Sequence, residues 1–373
     1  MEIRVPHYYR KFKCTADKCP DTCCAGWQIV IDKDSLKKYK KIKGEFGKRM
    51  LRSVNWLQGT FRQNEEKRCA FLNENNLCDL YLSQGEDGFC KTCREYPRHT
   101  EEFEGVREIT LSISCPEVAR ILMNRKEPVS FISYERDGEE EFDDFDPFLF
   151  SILEDARKEM ISILQNRSLS ISERVLLVLG MAHDMQGRMN RQELFDCMQV
   201  MEKYTSHNAL DFVRSYIEQN HAKKGNLKFA HAMFCHLYQL ELLKEDWGVL
   251  LLETENLLYK DEENYRKLQG EFEAYLQEKE DIAIHLEQLL VYFLFTYFPG
   301  AVYDGEIYAK AQLSVYCVFM IWELWMARWL KNEKTLDLEE MTELVYRFSR
   351  EVEHSDLNLK TVERIMNKKW FLK

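Results

Sequence analysis

The chain has 373 residues, of which 45% are hydrophobic and 31% charged, enough to bury a large core and, by length, to form two domains. Its net charge of −11 argues against a general nucleic-acid binder, which is usually basic. Only 15 Gly and 7 Pro occur, which favours a helical protein over a turn-rich β fold.

Residues 1–12 are basic and aromatic (Tyr8, Tyr9, Arg10, Lys11, Phe12) and are expected to pack beside the cysteine-rich stretch that follows. The same segment has neither the apolar run nor the small-residue cleavage site of a secretory leader, so a cytoplasmic, reducing location is expected.

Nine of the twelve cysteines lie between Cys14 and Cys115; Cys197, Cys235 and Cys317 are scattered singly. The first group, Cys14, Cys19, Cys23 and Cys24, reads C-x4-C-x3-CC-x2-W, a loop with Pro20 and Gly26 as turn residues. Trp27 either shields a cluster from water or packs in a core. Gln28–Ile31 is expected as a short strand. Asp32 or Asp34 then caps a helix running through Ser35 to about Lys43, and residues 44–66 read as helix and loop. Asn75-Asn76 suits a turn that brings Cys69 and Cys78 together. Cys90-Lys-Thr-Cys93 is a C-x2-C knuckle. Arg94 and Arg98 beside it offset thiolate charge, bind a carboxylate, or are plain surface residues. Ile109, Leu111 and Ile113 alternate with Thr110, Ser112 and Ser114, a strand that delivers Cys115. Pro116 opens the next helix, through Asn124.

The character changes near residue 125. Arg136–Asp146 is an acidic run expected to be a solvated linker, and helices follow almost throughout from 147. His231-x3-Cys235-His236 shares a helical face, but reads as packing rather than a metal site. Leu286–Leu330 is rich in Tyr and Trp, is broken by Pro299-Gly300, and reads as a buried helical hairpin rather than a membrane span. Part of it is a candidate wall for a small-molecule pocket. Leu336–Val352 is an amphipathic helix, and the tail is basic. The expected fold class is mainly α: a cysteine-rich metal-binding region with short strands over 1–125, followed by an all-helical domain over 126–373.

Three uses of the thiols compete: disulfides, metal, or inert burial. Disulfide frameworks belong to small secreted chains, so metal or iron–sulfur binding is the expectation here. The leading ligand candidates are Cys19, Cys23, Cys90 and Cys93, followed by Cys14, Cys24, Cys78, Cys69 and Cys115. Cys23 and Cys24 are adjacent, so their side chains are expected to diverge. Nine thiols exceed the four one cluster needs, which leaves room for a second metal.

Four blocks together resemble the flagellin lysine-N-methylase family: C-x4-C-x3-CC-x2-W, C-A-F-L-x4-L-C-x2-Y, C-x2-C-R-E-Y-P-R and S-I-S-C-P-E-V-A-R. The first three also resemble small zinc- or iron-chelating domains, whose usual C-x2-C-x2-CC spacing differs from that seen here. The resemblance covers roughly residues 1–125. It implies methyl transfer from S-adenosylmethionine to lysine amines of flagellin, with an iron–sulfur cluster (4Fe–4S, zinc being the alternative) on the clustered cysteines. No catalytic or cofactor-binding residue can be matched. The chain has no G-x-G, and Cys19-x3-Cys23-Cys24 is not the C-x3-C-x2-C of radical enzymes, so the cofactor site follows neither common design. The competing reading is a non-enzymatic, zinc-stabilised scaffold or protein-interaction module; an electron-transfer or redox-sensing protein is a third. Nucleic acid and membrane insertion are not expected.

Overall fold

A computed structural model describes residues 1–138, 142–220, 226–279 and 281–368. Residues 139–141 of the acidic run and 369–373 of the basic tail lie outside the described residues. The strands are β1 (Glu2–Pro6), β2 (Val54–Asn55), β3 (Thr60–Phe61), β4 (Arg98–Phe103), β5 (Val106–Leu111) and β6 (Phe131–Glu135). Five short helices occupy the first third: α1 (Lys33–Tyr39), α2 (Gly44–Ser53), α3 (Asp79–Gln84), α4 (Lys91–Glu95) and α5 (Pro116–Met123). Beyond residue 146 the chain is helical: α6 (Pro147–Leu164), α7 (Ile171–Asn190), α8 (Cys197–Tyr204), α9 (His207–Asn220), α10 (Leu227–Cys235), α11 (Glu245–Leu258) and α12 (Glu262–Gln277). The series ends with α13 (Ile282–Tyr297), α14 (Ala301–Asp304), α15 (Ile307–Lys331), α16 (Leu338–Glu353) and α17 (Asp356–Met366). The fold is mainly α, as the sequence predicts.

Several local signals act where they stand. Asp32 caps α1 by accepting Ser35 N–H at 2.9 Å. Cys115 is the N-cap of α5, with Pro116 in its first turn. Ser170 with Glu173, and Asp337 with Glu340, form reciprocal capping boxes on α7 and α16.

The strands depart from expectation. Residues 1–12 do not merely flank the cysteine loop: β1 is an inner strand of a four-stranded sheet ordered β4-β5-β1-β6. It runs parallel to β5 (Glu2↔Val106) and antiparallel to β6 (Val5↔Ile132). Ile3 and Val5 are buried, while Arg4 on the opposite face bonds Glu108 and Glu154, each at 2.7 Å. Those carboxylates, on β5 and α6, are what make Arg4 tolerable on an inner strand, and nothing local announces them. β6 lies beyond residue 125 and pairs back to β1. The strand expected over 109–114 spans Val106–Leu111; Ser112 N–H still donates in register to Pro97 O at 2.7 Å, but Pro97 has no N–H to return and the ladder ends. Gln28–Ile31 is not a strand but an extended segment with a single bridge, Val30 to Thr60.

Two apolar cores result. The small one gathers Ile29, Ile31, Tyr39, Met50, Val54, Phe61, Phe71 and Leu80. The large one runs from Tyr8 and Phe103 through the helices to Met366. Its axis is the expected hairpin: every residue from His285 to Tyr297 on α13 is buried, and α15 packs beside it. Ile282–Asp304 and Ile307–Lys331 have the length and apolarity to cross a membrane, yet 78% of the most apolar part of each is buried inside the fold. The acidic run is not wholly solvated, because Phe145 packs on Phe150, with ring centroids 5.4 Å apart.

Candidate thiolate site

A cavity of about 840 Å³ is lined by eight of the nine N-terminal cysteines: Cys14, Cys19, Cys23, Cys24, Cys69, Cys78, Cys93 and Cys115. Cys90 is fully buried behind them. Trp27, Phe61, Phe71 and Tyr96 contribute aromatic wall.

The backbone brings these thiols together by local means. Cys24 O accepts Cys69 N–H at 2.8 Å, and lone bridges join Ala25 to Arg68 and Leu72 to Cys78. The turn expected at Asn75-Asn76 forms, with Asn73 Oδ1 accepting Asn75 and Leu77 N–H at 3.0 Å each and Asn76 at φ +56°. Cys78, Cys90 and Cys115 are the N-cap residues of α3, α4 and α5. The positive end of a helix favours an anionic sulfur there. Asp32 also accepts Lys91 N–H at 2.8 Å, so one carboxylate caps α1 and steadies the start of α4. Trp27 Nε1 donates to Cys23 O at 2.6 Å, fixing the indole against the loop.

Cys23 and Cys24 do not diverge as expected. They sit in a turn, not an extended strand, so neighbouring side chains need not alternate, and their thiols hydrogen-bond each other. Cys23 donates: this contact pushes its own pKa up and brings Cys24 down to about 7. Cys90 and Cys93 form a second such pair, with Cys90 lowered and Cys93 raised by their mutual bond. Burial pushes Cys69 up to about 12 and Cys115 to about 11. A bound cation is the ordinary means of holding such thiols as thiolates.

The donor chemistry suits soft metals: eight thiols converge on one cavity, and thiolates fit iron–sulfur clusters and zinc alike. Among the described residues the one trio of ligating atoms all within 4.8 Å of one another is His231, Cys235 and Glu255; no N-terminal sulfur trio is that tight. In that trio Glu255 already bonds His231 at 2.7 Å and Tyr238 at 2.6 Å, so it is satisfied as packing.

The helical body reaches this site through residues the sequence did not single out. Arg350 of α16, 2% exposed, pairs with Asp21 Oδ2 at 2.6 Å and donates to Asp21 O at 3.0 Å and Ser114 O at 3.1 Å. It therefore clamps the loop between Cys19 and Cys23 to the residue before Cys115. Lys244 bonds Asp21 as well. Arg94 and Arg98 line the cavity and bond Phe89 O and Tyr9 OH, and Arg350 adds a charge that, after the Asp21 backbone and Thr15 bonds, lowers Cys19 against its burial. His354 Nε2 lies 2.7 Å from Ser114 Oγ, and its ring packs 4.7 Å from Trp27 and 5.4 Å from Tyr96. Burial, then the charge of Arg350, holds His354 at about 3 and therefore neutral. Ser114 Oγ is also 3.2 Å from Tyr96 OH. Behind this layer, Tyr292 and Tyr297 of the hairpin donate to Glu353 at 2.7 and 2.5 Å. Neither tyrosine lines the cavity; the pocket wall falls to the N-terminal region instead. No sequence signal marks Arg350 or His354, because their partners lie more than 200 residues away.

Comparison with known proteins follows the helical body. A family model described as FliB lysine N-methylase C-terminal domain matches residues 157–372, more than half of the chain. A lysine-N-methylase of Salmonella typhimurium is 28% identical over 132 residues, covering 33% of this chain and 33% of that protein. Flagellar biosynthetic protein FliU of Salmonella muenchen is 28% identical over 132 residues, covering 33% of this chain and 78% of that protein. The match thus spans about a third of the length of the curated lysine-N-methylase. No solved structure matches. With the four cysteine blocks at one end and the matched helical domain at the other, the chain belongs to the FliB lysine N-methylase family.

Proposed function

We infer that the protein is an S-adenosylmethionine-dependent lysine methyltransferase that acts on flagellin and carries a thiolate-bound iron–sulfur cluster. The observation that carries this reading is the single cavity on which eight cysteines converge, clamped by Arg350 of the family's own helical domain. Its volume, about 840 Å³, lies in the range of small-molecule sites, roughly 300–1,000 Å³. The flagellar substrate is supported by the name of the FliU relative. A site of this kind belongs in a reducing compartment.

Cys19, Cys23, Cys90 and Cys93, with the other five, are the residues that would hold the cluster, and S-adenosylmethionine when bound supplies the methyl group. The chain's own part is to receive a lysine amine without its proton. The apolar wall of Trp27, Phe61 and Phe71 lowers the amine pKa by desolvation. Burial raises the Tyr96 hydroxyl well above its usual range, so it stays protonated. We assign it as donor to Ser114, 3.2 Å away, and Ser114 as donor to the neutral His354 Nε2, 2.7 Å away. That direction leaves a Tyr96 oxygen lone pair to accept an amine N–H and turn the nitrogen lone pair toward the methyl group.

The test is anaerobic protein with S-adenosylmethionine and flagellin, read by mass spectrometry for methyl-lysine. Methylated lysine is expected; its absence with iron-loaded protein overturns the reading. Tyr96→Phe is expected to lower kcat on the order of 100-fold with iron content unchanged. A near-normal kcat in that variant removes Tyr96 from the mechanism.

A further inference from the structure

Nine thiols are more than one four-ligand centre uses, and the two cores divide them. Cys24, Cys69, Cys78, Cys90 and Cys93 belong to the small core or pack against it. Cys115 belongs to the large core, and Cys14, Cys19 and Cys23 lie outside both. The same partition appears in which stretches the hydrogen bonds tie together. Arg350 joins Asp21, between Cys19 and Cys23, to Ser114, beside Cys115. Cys69 N–H donates to Cys24 O at 2.8 Å, and Leu72 bridges to Cys78. The sets meet at the Cys23–Cys24 contact. Their cations differ too: Arg350 pairs with Asp21 between Cys19 and Cys23, whereas Arg68 is bridged to Ala25 beside Cys24.

We propose that the protein carries two thiolate-bound centres adjoining at Cys23–Cys24. Cys14, Cys19, Cys23 and Cys115 hold one where the cysteine lobe meets the helical body. Cys24, Cys69, Cys78 and Cys93, with Cys90 behind them, hold the other inside the small core. The ligands suit soft metals, as iron–sulfur clusters or zinc. The inference rests on the reading that these cysteines bind metal, and adds the number and division of the centres.

The physical need differs between the two. The small core has eight buried apolar residues besides its cysteines, and a lobe that size is commonly stapled by a metal. The other centre draws ligands from two separate stretches, Cys14–Cys23 and Cys115, both clamped by Arg350. It joins lobe to body and faces the cavity.

The experiment uses the full chain purified without oxygen. Iron, sulfide and zinc are assayed per chain, and native protein is alkylated with the protected cysteines located by mass spectrometry. Cys19→Ser with Cys115→Ser is expected to remove about half of the metal, exposing Cys14 and Cys23 while Cys24, Cys69, Cys78 and Cys93 stay protected. Cys69→Ser with Cys78→Ser is expected to do the converse. If one double variant loses all the metal, or either loses none, the chain has a single centre and the proposal fails. Should the buried double variant not fold, wild-type protection decides: eight or nine protected cysteines support two centres, and four or five overturn them. Wild-type chain free of metal, with all nine thiols alkylated, would instead overturn the cluster reading itself.

Discussion

Arg350 joins two halves of the chain at one guanidinium, through Asp21 and the carbonyls of Asp21 and Ser114. Three acceptors in fixed directions suit a planar fork, not an ammonium. Arg350→Ala leaves Asp21 to Lys244 alone and takes the donor from the Asp21 and Ser114 carbonyls, and should cost about 1.5–3 kcal/mol in urea unfolding. Arg350→Lys should recover only part of this. Glu323 tests the opposite case, a buried carboxyl without a cation. Burial raises it to about 7, although Tyr259 and Tyr265 each donate at 2.8 Å. A carboxyl raised in the folded state binds its proton more tightly there than when unfolded. Its favourable contribution is complete below the ordinary value of 4.5 and is lost as pH rises to about 7. Glu351, also raised by burial to about 7, adds to the same window. Glu323→Gln should therefore flatten the stability profile between those pH values and gain on the order of 3 kcal/mol at pH 8 relative to wild type. An unchanged slope would mean that Glu323 is hydrated in the folded protein.

Among the elements, α4 is short, five residues, and depends on its ends. Asp32 serves it and α1 at once, and Lys91 and Ser35 N–H hold the carboxylate at about 2 against the desolvation it suffers. Asp32→Ala should cost about 1–2 kcal/mol and speed alkylation of Cys90 and Cys93 in metal-free protein. Alkylation at the wild-type rate would show that α4 stands without the cap. The α7–α8 contact turns on a glycine for a different reason, space. A Cβ at Gly180 would lie 2.6 Å from Tyr204 Cε1 and 2.9 Å from its hydroxyl oxygen. Tyr204 is held by its bond to Asp184 at 3.0 Å, so the ring cannot swing aside freely. Gly180→Ala is expected to lower stability by about 1–3 kcal/mol through overpacking, with Tyr204→Leu in the same chain relieving most of the loss.

For the whole molecule, separate cores mean separate stabilities. The helical body has its own extensive apolar interior, whereas the cysteine lobe has a small one. With the proposed metal bound, its removal by chelation should open the lobe first. Its thiols should become reactive while the far-UV helical signal, dominated by the body, changes little. Loss of helix and thiol protection together would show instead that the two fold as one unit.

What was legible in the sequence was whatever acts over short range. The caps at Asp32 and Cys115-Pro116, the Asn75-Asn76 turn, the helices beyond 146 and the buried hairpin each depend on neighbours a few residues apart. The nine-cysteine concentration is likewise a local fact, and only the scarcity of uses for so many thiols was needed to read it. The tertiary structure alone decided the rest. β1 became an inner strand because β5, β6 and a carboxylate of α6 arrive from 100 and more residues away. The adjacent Cys23 and Cys24 face each other because a turn replaces the alternation of an extended chain. Arg350 and His354 reach the cysteine site because α16 docks on α5. Such convergence leaves no periodicity or spacing in the chain, since its physical basis is the packing of one element's face against another's.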